Sequence, residues 1–134
     1  MPRQAINPET LYDSRRIYSQ AIRTTSNTVL HCAGQIAVDQ DGKLVGRGDV
    51  VAQARQDLAN VGKLLAEAGA TPADVARIRI YVVNHKTEFL EPISAEIAKF
   101  FGDVPLPAST WVGVASLARP EYLVEIEVTA VMDR

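Results

Sequence analysis

Apolar residues recur at helical spacing in one long stretch of the chain. The stripe consists of Val51, Ala54, Leu58, Val61, Leu65 and Ala68. Because steps of three and four residues separate these positions, they fall on one side of an amphipathic helix. Asp49 is placed to cap the start of this helix and Gly69 to end it. The pattern predicts a first helix between these two residues.

A second helix is predicted over residues 91–101. Pro92 is tolerated in a first helical turn, and Gly102 lies just beyond the predicted end. The apolar positions of this helix are Ile93, Ile97, Phe100 and Phe101.

Apolar and polar residues alternate with the period of strands in five other segments. The predicted strands cover residues 17–24, 28–38, 77–82, 108–114 and 123–132. Thr25-Ser26-Asn27 separates the first two strands, which is a connection of hairpin length. Residues 1–14, which include Pro2 and Pro8, show no periodicity and are predicted to be an irregular lead-in.

The element order ββαβαββ predicts an α+β fold, in which two helices cover one face of a single sheet. The whole chain, residues 1–134, is expected to form one domain. The strand residues expected to face the helices are Ile78, Ile80, Val82, Val112, Val114, Val124 and Ile126. The uncovered face is expected to carry Arg77, Arg79, Tyr81, Ser109, Trp111, Glu125 and Glu127.

The uncovered face favours self-association because it combines large residues with both signs of charge. Burying an unpaired carboxylate is costly, so Glu125 and Glu127 must face water, a cleft or a basic partner. Glu127 is expected to pair with Arg77 or Arg79.

Composition narrows the possible partners. The formal net charge of -2 over 134 residues weighs against nucleic acid or an anionic membrane as a partner. No apolar run reaches the roughly 18 residues of a membrane span, and no signal peptide is recognised. The single cysteine, Cys32, agrees with a reducing compartment, so a cytoplasmic location is expected. His31 and His85 lack the spacing of a metal site, and neither a metal nor a cofactor is expected.

Four motifs occur along the chain with the order and spacing of a known family. They are Tyr18-Ser19-Gln20-Ala21, Gly34-Gln35-Ile36, the run from Asp49 to Val61, and Val124-Glu125-Ile126-Glu127. Together they resemble the reactive intermediate deaminase family, also called the Rid, RidA-like or YjgF type. The resemblance implies a chorismate-mutase-like fold, assembled as a homotrimer with clefts between neighbouring subunits. It also implies a cofactor-independent hydrolase that converts enamines and imines, such as 2-aminoacrylate, to 2-oxo acids and ammonia.

The resemblance implies roles for two residues that match the family pattern. The motif tyrosine is Tyr18, which forms either a wall of the cleft or a core contact. The glutamate that positions a water is Glu125, which on its own would equally suit an ion pair between subunits.

Four other family positions hold different residues here. Ser109 stands where deaminating members have the arginine that binds the substrate carboxylate. Trp111 replaces a small or thiol residue, Ile93 replaces an asparagine, and Ala33 replaces a serine. A serine hydroxyl supplies one neutral hydrogen bond instead of two charge-assisted ones. Imines of 2-amino acids are therefore expected to be poor substrates, and a flatter or more apolar ligand is expected to stack on the indole. Arg79 is the nearby candidate to replace the arginine.

Three function classes remain open. The first is a small hydrolase of enamines or imines, with Glu125 orienting water. The second is a trimer that binds a small metabolite without turnover, which the loss of the arginine favours. In both, Trp111 either lines the cleft or packs in the subunit interface. The third, an endoribonuclease, is disfavoured by the acidic net charge.

Overall fold

The computed structural model describes residues 3–133, so Pro2 of the predicted lead-in lies outside the described residues. The chain forms an α+β fold with a mixed sheet and two helices, which confirms the predicted class. The strands are β1 (Arg3–Ile6), β2 (Ala21–Thr24), β3 (Thr28–His31), β4 (Val75–Val83), β5 (Ala108–Val114) and β6 (Val124–Met132). The helices are α1 (Val50–Glu67) and α2 (Leu90–Phe101).

The main sheet contains four strands in the order β3-β6-β4-β5. β4 pairs with β6 in antiparallel fashion and with β5 in parallel. Two parallel neighbours require a crossover connection, and α2 supplies it between β4 and β5. β4 and β6 are therefore the central strands, and β5 is an edge strand.

The predictions for the amino-terminal region are partly wrong. Arg3–Ile6 is a strand and not an irregular lead-in, and it pairs with β2 in a separate two-stranded sheet. β2 and β3 form no hairpin, because β3 pairs with β6 instead. A long-range contact holds the start of β1: the buried Arg3 guanidinium donates to the carbonyl oxygens of Val75 at 2.6 Å and Pro105 at 2.8 Å.

The first helix follows the prediction closely. The Asp49 side chain accepts a hydrogen bond from the Ala52 N–H at 3.0 Å, and Gly69 has a φ of 74° beyond the helix end, so both predicted caps are confirmed. Of the predicted stripe, Ala54, Leu58, Val61 and Leu65 are buried. The buried side of α1 also contains Gln53 and Asp57, which the apolar pattern did not include.

The two faces of the main sheet differ sharply in character. The side chains buried beneath the helices are Ile78, Ile80 and Val82 of β4 and Val124, Ile126 and Val128 of β6. The alternate residues are half-buried and form what we call the open face, defined by Arg77, Arg79, Tyr81, Glu125 and Glu127. For these two strands the predicted orientation is confirmed.

The predicted orientation of Ser109 and Trp111 on β5 is wrong. In-register neighbours in a sheet share a face, and Ser109 lies beside Ile78 while Trp111 lies beside Ile80. Both side chains therefore point to the helix side, and Trp111 packs against the core.

Val112 and Val114 accordingly lie on the open face, contrary to prediction, and Val112 is 40% exposed. The reason is that β5 is an edge strand, so apolar residues occur on both of its sides. There the larger apolar area of an indole gains more from contact with the helix layer than a valine does.

Within residues 3–133, no helix combines the length and the hydropathy that crossing a membrane would require.

Replacing Leu58 with alanine should lower the free energy of unfolding by about 2–5 kcal/mol, because this side chain is only 3% exposed in the centre of the α1 contact. Leu64 on the same helix is 38% exposed, and Leu64→Ala is the matched control, with an expected loss below about 1 kcal/mol. Urea denaturation of both variants tests the helix phase, and equal losses would contradict it.

Candidate functional site

Polar side chains bond with one another across the open face. Tyr81 donates its hydroxyl proton to Glu127, and this bond raises the pKa of the phenol. Arg77 donates to the Thr110 hydroxyl at 2.6 Å. Arg79 forms no ion pair within residues 3–133. The prediction that Glu127 pairs with an arginine is therefore wrong, because Tyr81 is its partner.

Glu125 lies on the open face above a glycine. Two hydrogen bonds between the backbones of Gln35 and Ile126, at 2.7 and 3.0 Å, join the segment after β3 to β6. They bring Gly34 so close to Glu125 that a β-carbon at residue 34 would overlap the carboxylate. Burial raises the pKa of Glu125, and the charge of Glu127 raises it further. The Glu125 carboxylate is therefore partly shielded from water and packs against the backbone of Gly34.

A second carboxyl group, Asp57, lies within electrostatic range of Glu125. Asp57 is completely buried, and neither carboxyl oxygen has a hydrogen-bond partner among residues 3–133. Burial, and to a smaller extent the Glu125 charge, raises the pKa of Asp57 to about 10. Asp57 is therefore a neutral acid at pH 7.

Gln53 of α1 holds the entry to β6. Its side-chain amide donates to the carbonyl oxygens of Gly46 and Glu121, each at 3.1 Å, and its oxygen accepts from the Leu123 N–H at 2.9 Å. Because Leu123 precedes Val124, these bonds determine where β6 begins and hence where Glu125 lies. This role was not predicted, because the apolar stripe of α1 does not include Gln53.

Asn60, two turns further along α1, holds the segment that carries Gly34. Its amide donates to the carbonyl oxygens of Ile36 at 3.1 Å and Val38 at 3.0 Å. Gln56 donates to the Asn60 oxygen at 3.0 Å and orients it. The run of polar residues in α1 could have indicated these contacts, since amides at helical spacing suit the binding of two neighbouring loops.

On the other side of the sheet, a small cavity of about 30 Å³ lies between α2 and β5. Its lining includes Arg16, Ile80, Ser94, Ile97, Ser109 and Trp111. A groove of about 530 Å³ adjoins it, between residues 12–17 and the start of α2. Arg16, Ile17 and Ser94 line both spaces. The cavity has room for a few atoms, and the groove has room for a small molecule.

Aromatic neighbours hold the indole of Trp111 in the cavity wall. Its Nε1–H donates a long hydrogen bond to Nδ1 of His85 at 3.4 Å. The His85 ring meets Trp111 and Phe89 edge-on, at centroid distances of 5.8 and 6.3 Å. His85 itself packs over Gly113, where a β-carbon would come within 2.9 Å of the His85 β-carbon.

The remaining predicted site residues are dispersed. Ile93 was expected at the site, but it is 0% exposed in the core and does not line a cleft of this chain. Ala33 is exposed beside Gly34, on the Glu125 side of the molecule. Tyr18 is half-buried, and its N–H donates to the Ser14 carbonyl oxygen at 2.8 Å. Arg79 lies on the open face and does not share a face with Ser109.

The predicted residues thus fall into two groups. Glu125 shares a face with Tyr81, whereas Trp111 shares a face with Ile80, so the two groups lie on opposite sides of the sheet. One chain does not bring them together. Within residues 3–133, no group of three or more His, Cys, Asp or Glu side chains is arranged to hold a metal ion.

Comparison with known proteins gives one consistent family. Residues 9–132 match the family described as Ribonuc_L-PSP, endoribonuclease L-PSP. The crystal structure of YyfB from Yersinia pestis, a protein of unknown function of the conserved Rid protein family, is 47% identical, with a TM-score of 0.96 over 98% of this chain and 100% of that chain.

Two curated relatives resemble most of the sequence. The RutC family protein slr0709 from Synechocystis sp. is 35% identical over 116 residues, which cover 86% of this chain and 85% of that protein. The 2-iminobutanoate/2-iminopropanoate deaminase of Dermatophagoides farinae is 32% identical over 116 residues, which cover 87% of this chain and 86% of that protein.

Replacing Gly34 with alanine should push the Glu125 carboxylate out of its position without unfolding the chain, because the overlapping atoms belong to a flexible side chain. Since burial raises the pKa of Glu125, the displaced group should titrate at lower pH. Carbon-13 NMR of labelled carboxyl groups measures this, with Glu125→Gln identifying the signal. An unchanged titration with the melting temperature within about 3 °C of wild type would contradict the contact.

Asp57→Asn should stabilise the protein at neutral and alkaline pH. The unfolded chain ionises Asp57 near its ordinary pKa of 3.8, whereas the folded chain does so only near 10, so this group makes stability fall as pH rises between the two values. The advantage of the variant should be smallest below about pH 4 and should grow by up to about 1.4 kcal/mol per pH unit above it. Denaturation at pH values from about 4 to about 8 tests this, and a constant difference would refute it.

Proposed function

Because this chain belongs to the endoribonuclease L-PSP family, the Rid/YjgF family that its sequence motifs resemble, we propose that it is a hydrolase of reactive imines or enamines. The proposed site lies between subunits of a homotrimer. One subunit provides Glu125, with Gly34 and Ala33 beside it, and its neighbour provides the cavity with Ser109 and Trp111.

The observation that carries this proposal is the separation of the two groups by the sheet. Burial raises the pKa of Glu125 on one side of the sheet, as suits a base, and Ser109 and Trp111 line a mostly apolar cavity on the other side. A reaction that uses both groups needs a second copy of the chain. One relative is named as a deaminase of 2-iminobutanoate and 2-iminopropanoate, which supports an imine as the reacting group.

The open face supports assembly of identical chains. It carries Arg79 and Glu125 without an ion pair within residues 3–133, next to the hydroxyl of Tyr81. Val112 is 40% exposed, and Val29 on β3 is 48% exposed. A surface with both charge signs on its central strands and exposed apolar residues on its edge strands suits a second copy of itself.

In the proposed reaction, Glu125 accepts a proton from a water molecule while the oxygen of that water attacks the carbon of the C=N bond. The tetrahedral intermediate receives that proton on nitrogen, which becomes an amino group. Glu125 then transfers the proton of the new hydroxyl group to this amino group, and ammonia leaves as the carbonyl forms. A carboxylate whose pKa is raised toward neutrality is a better base for this transfer than an ordinary glutamate. The atoms of one water and one imine account for the products.

Ser109 limits the choice of substrate. Its neutral hydroxyl binds a carboxylate more weakly than a guanidinium would, so small 2-imino acids are expected to be poor substrates. The same substitution favours the alternative of a trimer that binds a metabolite without turnover. The endoribonuclease named in the family description is disfavoured, because a net charge of -2 offers little attraction to RNA.

Mixing two inactive variants tests the proposal. Glu125→Gln removes the base and should lower the rate by roughly 100-fold or more, and Ser109→Phe fills the small cavity. In randomly mixed trimers, roughly a quarter of the clefts would combine an intact Glu125 with an intact cavity. Refolding the variants together should therefore restore about a quarter of the wild-type rate. Release of 2-oxo acid is followed from imino acids generated in place by an amino-acid oxidase.

The controls separate the alternatives. Each variant refolded alone should remain inactive, with the same assembly mass as wild type by light scattering. If the mixed samples are inactive, the proposal that two subunits share the site is wrong. If the wild-type protein hydrolyses no imine faster than buffer does, and 2-oxo acids raise its melting temperature, the results would favour the trimer that binds a metabolite without turnover.

A further inference from the structure

The cavity beside Ser109 contains a cation that the sequence did not predict. Arg16 lies in the segment between β1 and β2, and it lines both the cavity and the adjoining groove. Ser94 of α2 lines the same two spaces, and Ser109 lines the cavity. One arginine and two serines, from three separate parts of the chain, therefore line the same cavity.

The Arg16 guanidinium is available to a ligand. It has no hydrogen-bond or ion-pair partner among residues 3–133. The adjacent arginine differs: Arg15 donates to both oxygens of Asp13, at 2.8 and 2.7 Å. The hydrogen bonds from Arg15 lower the pKa of the Asp13 carboxyl to about 2, and the arginine neutralises its charge. Glu91 is the other acidic residue that lines the groove.

The rest of the lining is apolar. Ile80 and Ile97 lie at the base of the cavity with Trp111, and Ile17 and Leu90 flank the groove, with exposed fractions of 50% and 40%. Such a site combines one cation at an edge with an apolar interior, which is the arrangement that binds an amphiphilic anion.

We propose that Arg16, with the hydroxyls of Ser94 and Ser109, binds the carboxylate of a substrate whose apolar body lies against Trp111. This proposal rests on the proposed function and names its substrate class: imines or enamines of carboxylic acids with a bulky apolar group. Arg16, and not Arg79, replaces the cation missing at residue 109, because Arg79 lies on the opposite face of the sheet from the cavity.

The dimensions support a substrate larger than a three-carbon imino acid. The groove has a volume of about 530 Å³, within the range of sites for molecules with a dozen or more non-hydrogen atoms. Arg16 stands where groove and cavity meet, so a carboxylate bound there leaves both spaces for the apolar part.

Binding of non-reactive probes tests the proposal. Trp111 is the only tryptophan of the chain, so fluorescence excited selectively at the indole reports on the cavity wall. The probes are 3-phenylpropanoate and 4-phenylbutanoate, each compared with its neutral amide, and calorimetry provides the affinities. Arg16→Gln should weaken binding of the carboxylates by roughly 10-fold or more, and should change binding of the amides by less than about 2-fold.

Two charge variants provide matched controls in the full-length protein. Arg15→Gln combined with Asp13→Asn removes the neighbouring arginine without leaving an unpaired carboxylate in the groove, and should leave the affinities within about 2-fold of wild type. Glu91→Gln removes an opposing charge from the groove and should leave carboxylate binding unchanged or up to about 3-fold tighter. Equal losses in the two arginine variants, or no preference of wild type for carboxylates over amides, would overturn the proposal.

This experiment does not depend on turnover. If the probes bind through Arg16 but no imine is hydrolysed, the proposed function fails and the anion site stands. If imines are hydrolysed and Arg16→Gln binds the probes as wild type does, the anion site fails and the proposed function stands.

Discussion

The packing of the helix layer on Ile78, Ile80 and Val82 sets the direction of every side chain on the central strand. Successive residues of a strand point to opposite faces, so Arg77, Arg79 and Tyr81 must then lie on the open face. A register slip of one residue would bury two arginines, and the cost of desolvating them would exceed the gain of any alternative packing. The division of the functional groups between two faces follows from this constraint and not from the loops.

The elements with the strongest alternation could be predicted from the sequence. β4, β6 and α1 have one apolar and one polar side, and their orientation follows directly. The orientation of the β5 side chains was predicted wrongly, because an edge strand is only partly covered and carries apolar residues on both faces. The alternation of the sequence therefore does not show whether the valines or the indole contact the helices. β1 was missed because its position depends on Arg3, whose partners are Val75 and Pro105, far along the chain.

The candidate site was predicted unevenly for similar reasons. Sequence motifs located Glu125, but they did not reveal Gly34 as the surface on which it rests or Asp57 as its buried neighbour. Asp57 lies on the side of α1 that faces the core, where an apolar pattern contains no place for a carboxyl. Arg16 belongs to a segment without helix or strand periodicity, so only its position in the folded chain connects it with Ser109.

The anchoring of Arg3 has a practical consequence for work on this protein. Its guanidinium is buried and bonded to two backbone carbonyls, and it therefore ties the amino-terminal segment to the end of the β4–β5 layer at which both parallel strands begin. The polypeptide that leads from this anchor to β2 includes Arg16. An affinity tag fused close to Arg3, or a shortened expression clone that begins after it, would loosen one wall of the groove while leaving the main sheet intact. Ligand screens performed on such samples would then under-report binding without any sign of misfolding.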